Sequence, residues 1–240
     1  MHIGGSGHIA PGGYNEDIHI SGSGKVDGNI RCLSYHSSGS SHVAGSLTCH
    51  ESFTVAGSCH VEKNLHAKNV SAAGSCHIGE NCIVDGLMKT GGSFKCDGNI
   101  HCNQLRTGGS LSVNGDIEGE DLVISGSVKC PGLINAEKIF ITLSANALCK
   151  IGSIGGGIIN IKTEPAKNIF LLSLLRHSSS SSLQIEDCIE GDQLSLEGVI
   201  VPKVSGKQVI IGKGCKIELV QYSDTIKISP EAIVDKYEKI

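Results

Sequence analysis

The sequence predicts an all-β fold, a β-helix (solenoid) wound in coils of about 17 residues, and three observations point to it. The dipeptide Gly-Ser recurs at Gly5, Gly22, Gly39, Gly57, Gly74, Gly92, Gly109 and Gly126, in steps of 17, 17, 18, 17, 18, 17 and 17 residues. Apolar residues and cysteines then stand at fixed distances after each of these glycines. Finally, the composition suits many thin layers: 39% of the residues are hydrophobic, yet 240 residues include no Trp and only four Phe and four Tyr. A unit of this size cannot bury its apolar side alone, so each coil must cover the next.

Within a coil the pattern places each element. Four residues after the glycine stand Val26, Val43, Val61, Ile78, Cys96, Val113 and Cys130. Eight after it stand Ile30, Leu47, Leu65, Cys82, Ile100, Ile117 and Ile134, and ten after it Cys32, Cys49, Ala67, Val84, Cys102, Gly119 and Ala136. Positions eight and ten alternate with polar residues, the period of a half-buried strand. A further apolar set follows near thirteen: Tyr35, Phe53, Val70, Leu87, Leu105, Leu122 and Ile139. Gly28, Gly45, Gly98, Gly115 and Gly132, six after the first glycine, punctuate corners. No stripe of helical spacing persists.

Residues 1–140 therefore read as regular coils and 141–163 as less regular ones. Residues 164–182, EPAKNIFLLSLLRHSSSSS, form an insertion opened by Pro165 and closed by five serines. Apolar-x-apolar pairs resume in 183–240 at Leu183/Ile185, Leu194/Leu196, Val209/Ile211, Ile217/Leu219 and Ile226/Ile228. That stretch reads as C-terminal coils ending in a charged cap, EAIVDKYEKI.

A net charge of −4 and few aromatics argue against a nucleic-acid partner. MHIGGSGHIA has the form of no secretory signal, and no apolar run reaches the roughly 20 residues of a membrane span. Eleven cysteines without a signal favour free thiols in a reducing, cytoplasmic setting.

The stretch GSCHIGENC, residues 74–82, looks like a metal site in isolation. Cys76 and His77 fall two and three residues after Gly74, and Cys59 and His60 hold the same places one coil earlier. His8, Lys25, His42, Lys95, Ser112 and Lys129 take the histidine place elsewhere, as suits an exposed row. Parallel side chains on rungs about 4.8 Å apart do not converge tetrahedrally. The expectation is surface histidines with small cysteines at the solvent edge, no cofactor and no resident metal; Cys59, His60, Cys76 and His77 are the weak metal candidates. The other cysteines, at inward places, read as small hydrophobes.

IIGKGCKI (210–217) and IGENCI (78–83) resemble the hexapeptide of β-helical acyltransferases, but a six-residue period does not run. No nucleophile elbow, P-loop or GxGxxG after a strand is present. The chain reads as a non-enzyme. The apolar run Phe170, Leu171, Leu172, Leu174 and Leu175 in the insertion is the candidate contact with a membrane surface or a protein partner.

Units such as ISGSGKVDGNIRC (20–32) and SSGSSHVAGSLTC (37–49) resemble those of bactofilins, the polymer-forming bacterial cytoskeletal proteins. The likeness covers residues 1–140 and, loosely, 183–240. It implies a right-handed β-helix that assembles end to end without nucleotide, near the inner membrane, as a scaffold. This chain is longer than the family pattern, lacks its disordered tails and carries the 164–182 insertion. End coils of a solenoid expose strand edges, which makes the first coil, with Ile3, Ile9, Ile18 and Ile30, the candidate face for self-association. The competing reading is a β-helical binding module, hexapeptide-like transferase or metal-binding protein using the His/Cys ladder.

Overall fold

In the computed structural model, which describes residues 1–143, 149–163 and 183–240, every regular element is a β-strand and the strands stack as a parallel β-solenoid. The chain divides into two units, Met1–Asp121 and Leu122–Ile240.

In the first unit the Gly-Ser period is the coil period. The serines Ser6, Ser23, Ser40, Ser58, Ser75, Ser93 and Ser110 are successive register partners. Backbone N–H groups donate from each coil to the one before, as from Ser23 to the Gly5 carbonyl and Ser40 to that of Gly22, both at 2.9 Å. The row Ile9, Val26, Val43, Val61, Ile78, Cys96, Val113 is buried throughout, as is Ile30, Leu47, Leu65, Cys82, Ile100. Each such side chain contributes about 1.5–3 kcal/mol by leaving water.

The two 18-residue steps hold their extra residue in bulges, where the register shifts between Ala67 and Asn69 and between Val84 and Leu87. The second bulge corrects one expectation. Met88, not Leu87, continues the row Tyr35, Phe53, Val70 and on to Leu105, because the extra residue turns Leu87 off the inward face.

Large and small side chains alternate within each coil, so the thin interior fills. Tyr35 shares its coil with Gly24 and Cys32, Phe53 with Ser41 and Cys49, and Phe94 with Cys96 and Cys102. The Tyr35 and Phe53 rings stack at 5.9 Å between centroids. Cysteine is here the small apolar residue that leaves room for a ring.

The second unit keeps the parallel register with uneven coils. Ile139 pairs with Ile159, Ile159 with Leu194, Leu194 with Val209 and Val209 with Ile226. The Ile159-to-Leu194 step contains residues 164–182, which lie outside the described residues. The steps of 15 and 17 that follow match the sequence reading. EAIVDKYEKI carries the last strand of the described residues. Its strand, Ile233–Lys239, continues in parallel register beside Lys216–Ile228, so the apolar-x-apolar habit outweighs the local charge.

Candidate functional site

One outward row gathers most of the chemistry of the first unit. His8, Lys25, His42, His60, His77, Lys95 and Ser112 are register partners in seven successive coils. The imidazoles of His42 and His60 stack at 5.3 Å, and those of His60 and His77 lie 4.6 Å apart, tilted. Carboxylates two residues along the coil serve this row. His8 and Lys25 share Asp27 at 3.2 and 3.3 Å, His42 meets Glu62 at 3.0 Å, and His77 and Lys95 share Asp97 at 2.6 and 2.7 Å. His60 has neighbours of its own kind instead. Partial burial and the adjacent His77 and His42 hold it below the usual imidazole range, while Glu62 and Asp97 oppose the shift. Lys95 and His77 hold Asp97 below the ordinary carboxylate range, and His8 and Lys25 do the same for Asp27.

The signs give a pH dependence. A histidine harder to protonate when folded binds fewer protons than in the unfolded chain, so stability falls as pH drops below its ordinary value of 6.5. The depressed Asp97 and Asp27 contribute stability present above 3.8 and lost as pH falls through their folded values. Melting temperature is therefore expected to decline from pH 7.5 to 5, and His60→Ser, which copies Ser112 of the same row, to flatten that decline. An unchanged slope in the variant would show that His60 carries none of it.

The structure separates the weak metal candidates. Cys59 and Cys76 are buried, at 4% and 2% exposure, in an inward row with Ser41, Phe94 and Leu111; His60 and His77 stand outside. The expectation of solvent-edge cysteines is thus corrected. Neighbours on a strand point to opposite faces, so the coil wall lies between thiol and imidazole. No group of three or more metal-ligating side chains arises among the described residues.

The association candidates are likewise placed. Ile9, Ile18 and Ile30 are core residues at 2%, 0% and 2% exposure, and Ile3 is half-buried beside Ile20. The idea that their side chains form an exposed face does not hold, because the next coil closes over each: Val26 over Ile9, Tyr35 over Ile18 and Leu47 over Ile30. What the first coil does present is backbone. His2–Ile3, Ser6–Ile9 and Gly12–Gly13 pair with the second coil, and no pairing on their other side occurs among the described residues.

In the second unit, rows buried in earlier coils become exposed in the last. Val204 and Val220 are fully buried while Tyr237, next in that row, is 59% exposed. Ile211 is buried and its partner Ile228 is exposed, and Ile240 is exposed as well; Ile233, 57% exposed, continues an outward row with Ile200 and Lys216. Phe170, Leu171, Leu172, Leu174 and Leu175 lie outside the described residues. No helix among the described residues is long and apolar enough to cross a membrane.

Sequence reasoning missed a corner row seven residues after each glycine: Asn29, Ser46, Asn64, Asn81, Asn99 and Asp116. Each asparagine side-chain oxygen accepts the backbone N–H of the next coil, Asn29 from Ser46 at 2.8 Å, Asn64 from Asn81 at 3.1 Å, Asn81 from Asn99 and Asn99 from Asp116 at 2.9 Å. The signal was present as an asparagine recurring seven residues after the Gly-Ser glycine, at Asn29, Asn64, Asn81 and Asn99. Along this row runs a shallow groove of about 280 Å³, lined by Asn64, Asn81, Asn99, Ile83, His101 and Glu118 among others.

The fold and these surfaces define a class: a parallel β-solenoid with a thin apolar lumen and periodic polar rows. No protein-family model matches the chain, and no solved structure matches it. A stretch of 56 residues, 23% of the chain, is 38% identical to the uncharacterized protein YhbF of Bacillus subtilis (strain 168) and spans 24% of that protein's length.

Proposed function

We propose that this chain is a bactofilin-like structural scaffold of the cytoplasm, a non-enzyme that associates with further copies of itself through the ends of its solenoid. The single observation that carries the reading is the emergence of the inward rows at the last coil, with Tyr237 exposed where Val204 and Val220 are buried. An exposed apolar rung beside an unpaired strand edge invites another edge. The one-sided pairing of the first coil offers such an edge. Peripheral contact with a membrane through the 170–175 segment belongs to the same proposal and rests on its apolar composition alone.

Light scattering after size exclusion, over a concentration series, tests the reading. Wild type is expected to run as an oligomer that grows with concentration, and Tyr237→Lys with Ile233→Lys to shift it toward monomer with an unchanged circular-dichroism spectrum. Both positions are more than half exposed, so folding tolerates the change. A wild type that stays monomeric at high concentration overturns the proposal. The groove along the asparagine row supports the second reading, a binding module, which a monomer that takes up a ligand there would favour.

A further inference from the structure

The parallel register brings cysteines face to face in two places inside the first unit. Cys32 pairs with Cys49 in the next coil, their Sγ atoms 3.8 Å apart, and Cys59 pairs with Cys76. Other cysteines of this unit face different residues: Cys82 meets Leu65 and Ile100, Cys96 meets Ile78 and Val113, and Cys102 meets Val84. Register partners in a sheet lie about 4.8 Å apart, within the Cα separation that a disulfide spans. All four paired thiols point into the same lumen, with Sγ of Cys32 and Cys49 already in contact.

We infer that Cys32–Cys49 and Cys59–Cys76 are modification sites, dithiols that a hydroperoxide oxidises to disulfides stapling consecutive coils. The sulfur of one thiolate attacks the peroxide, the O–O bond breaks, and a sulfenic acid forms as hydroxide leaves and takes up a proton to become water. The partner thiol then loses its proton and attacks the sulfenic sulfur; the S–S bond forms, and the S–O bond breaks with loss of water. Two thiols and one hydrogen peroxide give one disulfide and two waters, the sulfurs supplying two electrons.

Within the first pair the two thiols share a hydrogen bond that either sulfur can donate. Either sulfur of a pair can attack, and its partner then resolves. Hydrogen peroxide is close to water in size, and a local opening of the coil admits it. Ile30–Cys32 is held on its outer side by the end coil alone, through Gly12, Gly13 and the Tyr14 N–H that donates to the Arg31 carbonyl at 2.8 Å. Cys32–Cys49 therefore oxidises first and the deeper Cys59–Cys76 second. Each bridge closes a 17-residue loop and stabilises the oxidised chain.

The test uses the full chain, hydrogen peroxide as the probe, and alkylation of remaining thiols under denaturing conditions. Trypsin, cutting at Lys63 and Lys68, separates Cys59 from Cys76, and chymotrypsin, cutting after Leu33, Tyr35 and Leu47, separates Cys32 from Cys49. The expected result is loss of the four paired thiols, in addition to Cys188, from the eleven alkylatable thiols, linked peptides of the two register pairs, and a raised melting temperature that a reductant reverses. Cys49→Ala copies Ala67 of its row and keeps the fold; it is expected to leave a sulfenic acid at Cys32 that dimedone traps. Cys59→Ser copies Ser41 and is expected to abolish only the second bridge. Absence of both linked peptides at a peroxide dose that fully oxidises the more exposed Cys188 overturns the inference. The readout is independent of self-association.

Discussion

Alanine at Gly92 is expected to lower the stability of the chain by about 3 kcal/mol or more, whereas alanine at Gly91, one residue earlier, is expected to fold like wild type. A Cβ on Gly92 would strike the backbone carbonyl oxygens of Gly74 and Ala73 in the coil before it. The Gly74 carbonyl accepts a hydrogen bond along the stack, from the Ser93 N–H at 3.0 Å, and cannot swing away without loosening two coils. A Cβ on Gly91 meets nothing within 4 Å. The same contrast holds between Gly109, which faces the Gly92 oxygen, and Gly108, which faces open space. Gly5 supplies the control from the first coil: it occupies the place of Gly92 with nothing within 4 Å. Urea midpoints of the Gly91, Gly92, Gly108, Gly109 and Gly5 alanine variants measure the set. Equal midpoints for Gly91 and Gly92 would show that coils slide apart readily enough for the glycine row to be dispensable.

Ile18→Lys is expected to cost several kcal/mol, a large share of the roughly 5–15 kcal/mol that a domain has to lose. Ile18 is 0% exposed, its register partner is Tyr35, and Phe53 follows in the same row. A lysine there buries an ammonium among apolar side chains and one stacked ring pair, with no carboxylate in its row. Ile30→Lys is expected to behave alike, since Ile30 packs in the row of Leu47 and Leu65. Thermal melts followed by circular dichroism give the comparison with Ile18→Val. Either lysine variant melting within a few degrees of wild type would mean that the second coil frays enough to let the ammonium reach water. Loss of assembly in these two variants reports unfolding, which is why Tyr237 and Ile233 carry the association test.

How far the sequence reached can be judged from particular rows. The glycine–serine steps are the coil register, residue for residue from Ser6 to Ser110. The apolar offsets at four, eight and ten are inward rows, because the two-residue alternation of a strand maps directly onto inside and outside. The offset at two was misread. Ser41, Cys59, Cys76, Phe94 and Leu111 vary so much in size and polarity that the row looks like a surface, although each side chain is enclosed. Its variety has a cause: small members share coils with bulky ones elsewhere, and only a filled lumen shows that balance. Leu87 was misplaced for a different reason. A coil one residue too long is visible as a step of 18, but where the surplus residue bulges is settled by which pairing keeps Met88 under Val70 and Leu105.

The sequence by itself determined that the chain coils, with what period, and which alternate residues the period sends inward, since a repeat imposes the same environment on every copy. Only the tertiary structure decided that the thiols of Cys59 and Cys76 and the imidazoles of His60 and His77 stand on opposite sides of one wall, and that Cys32 meets Cys49. It decided too that the last strand leaves Tyr237 uncovered while Ile18 is enclosed. Contacts between coils depend on what lies a full turn away, and burial depends on whether another layer follows; neither is a property of a residue and its neighbours along the chain.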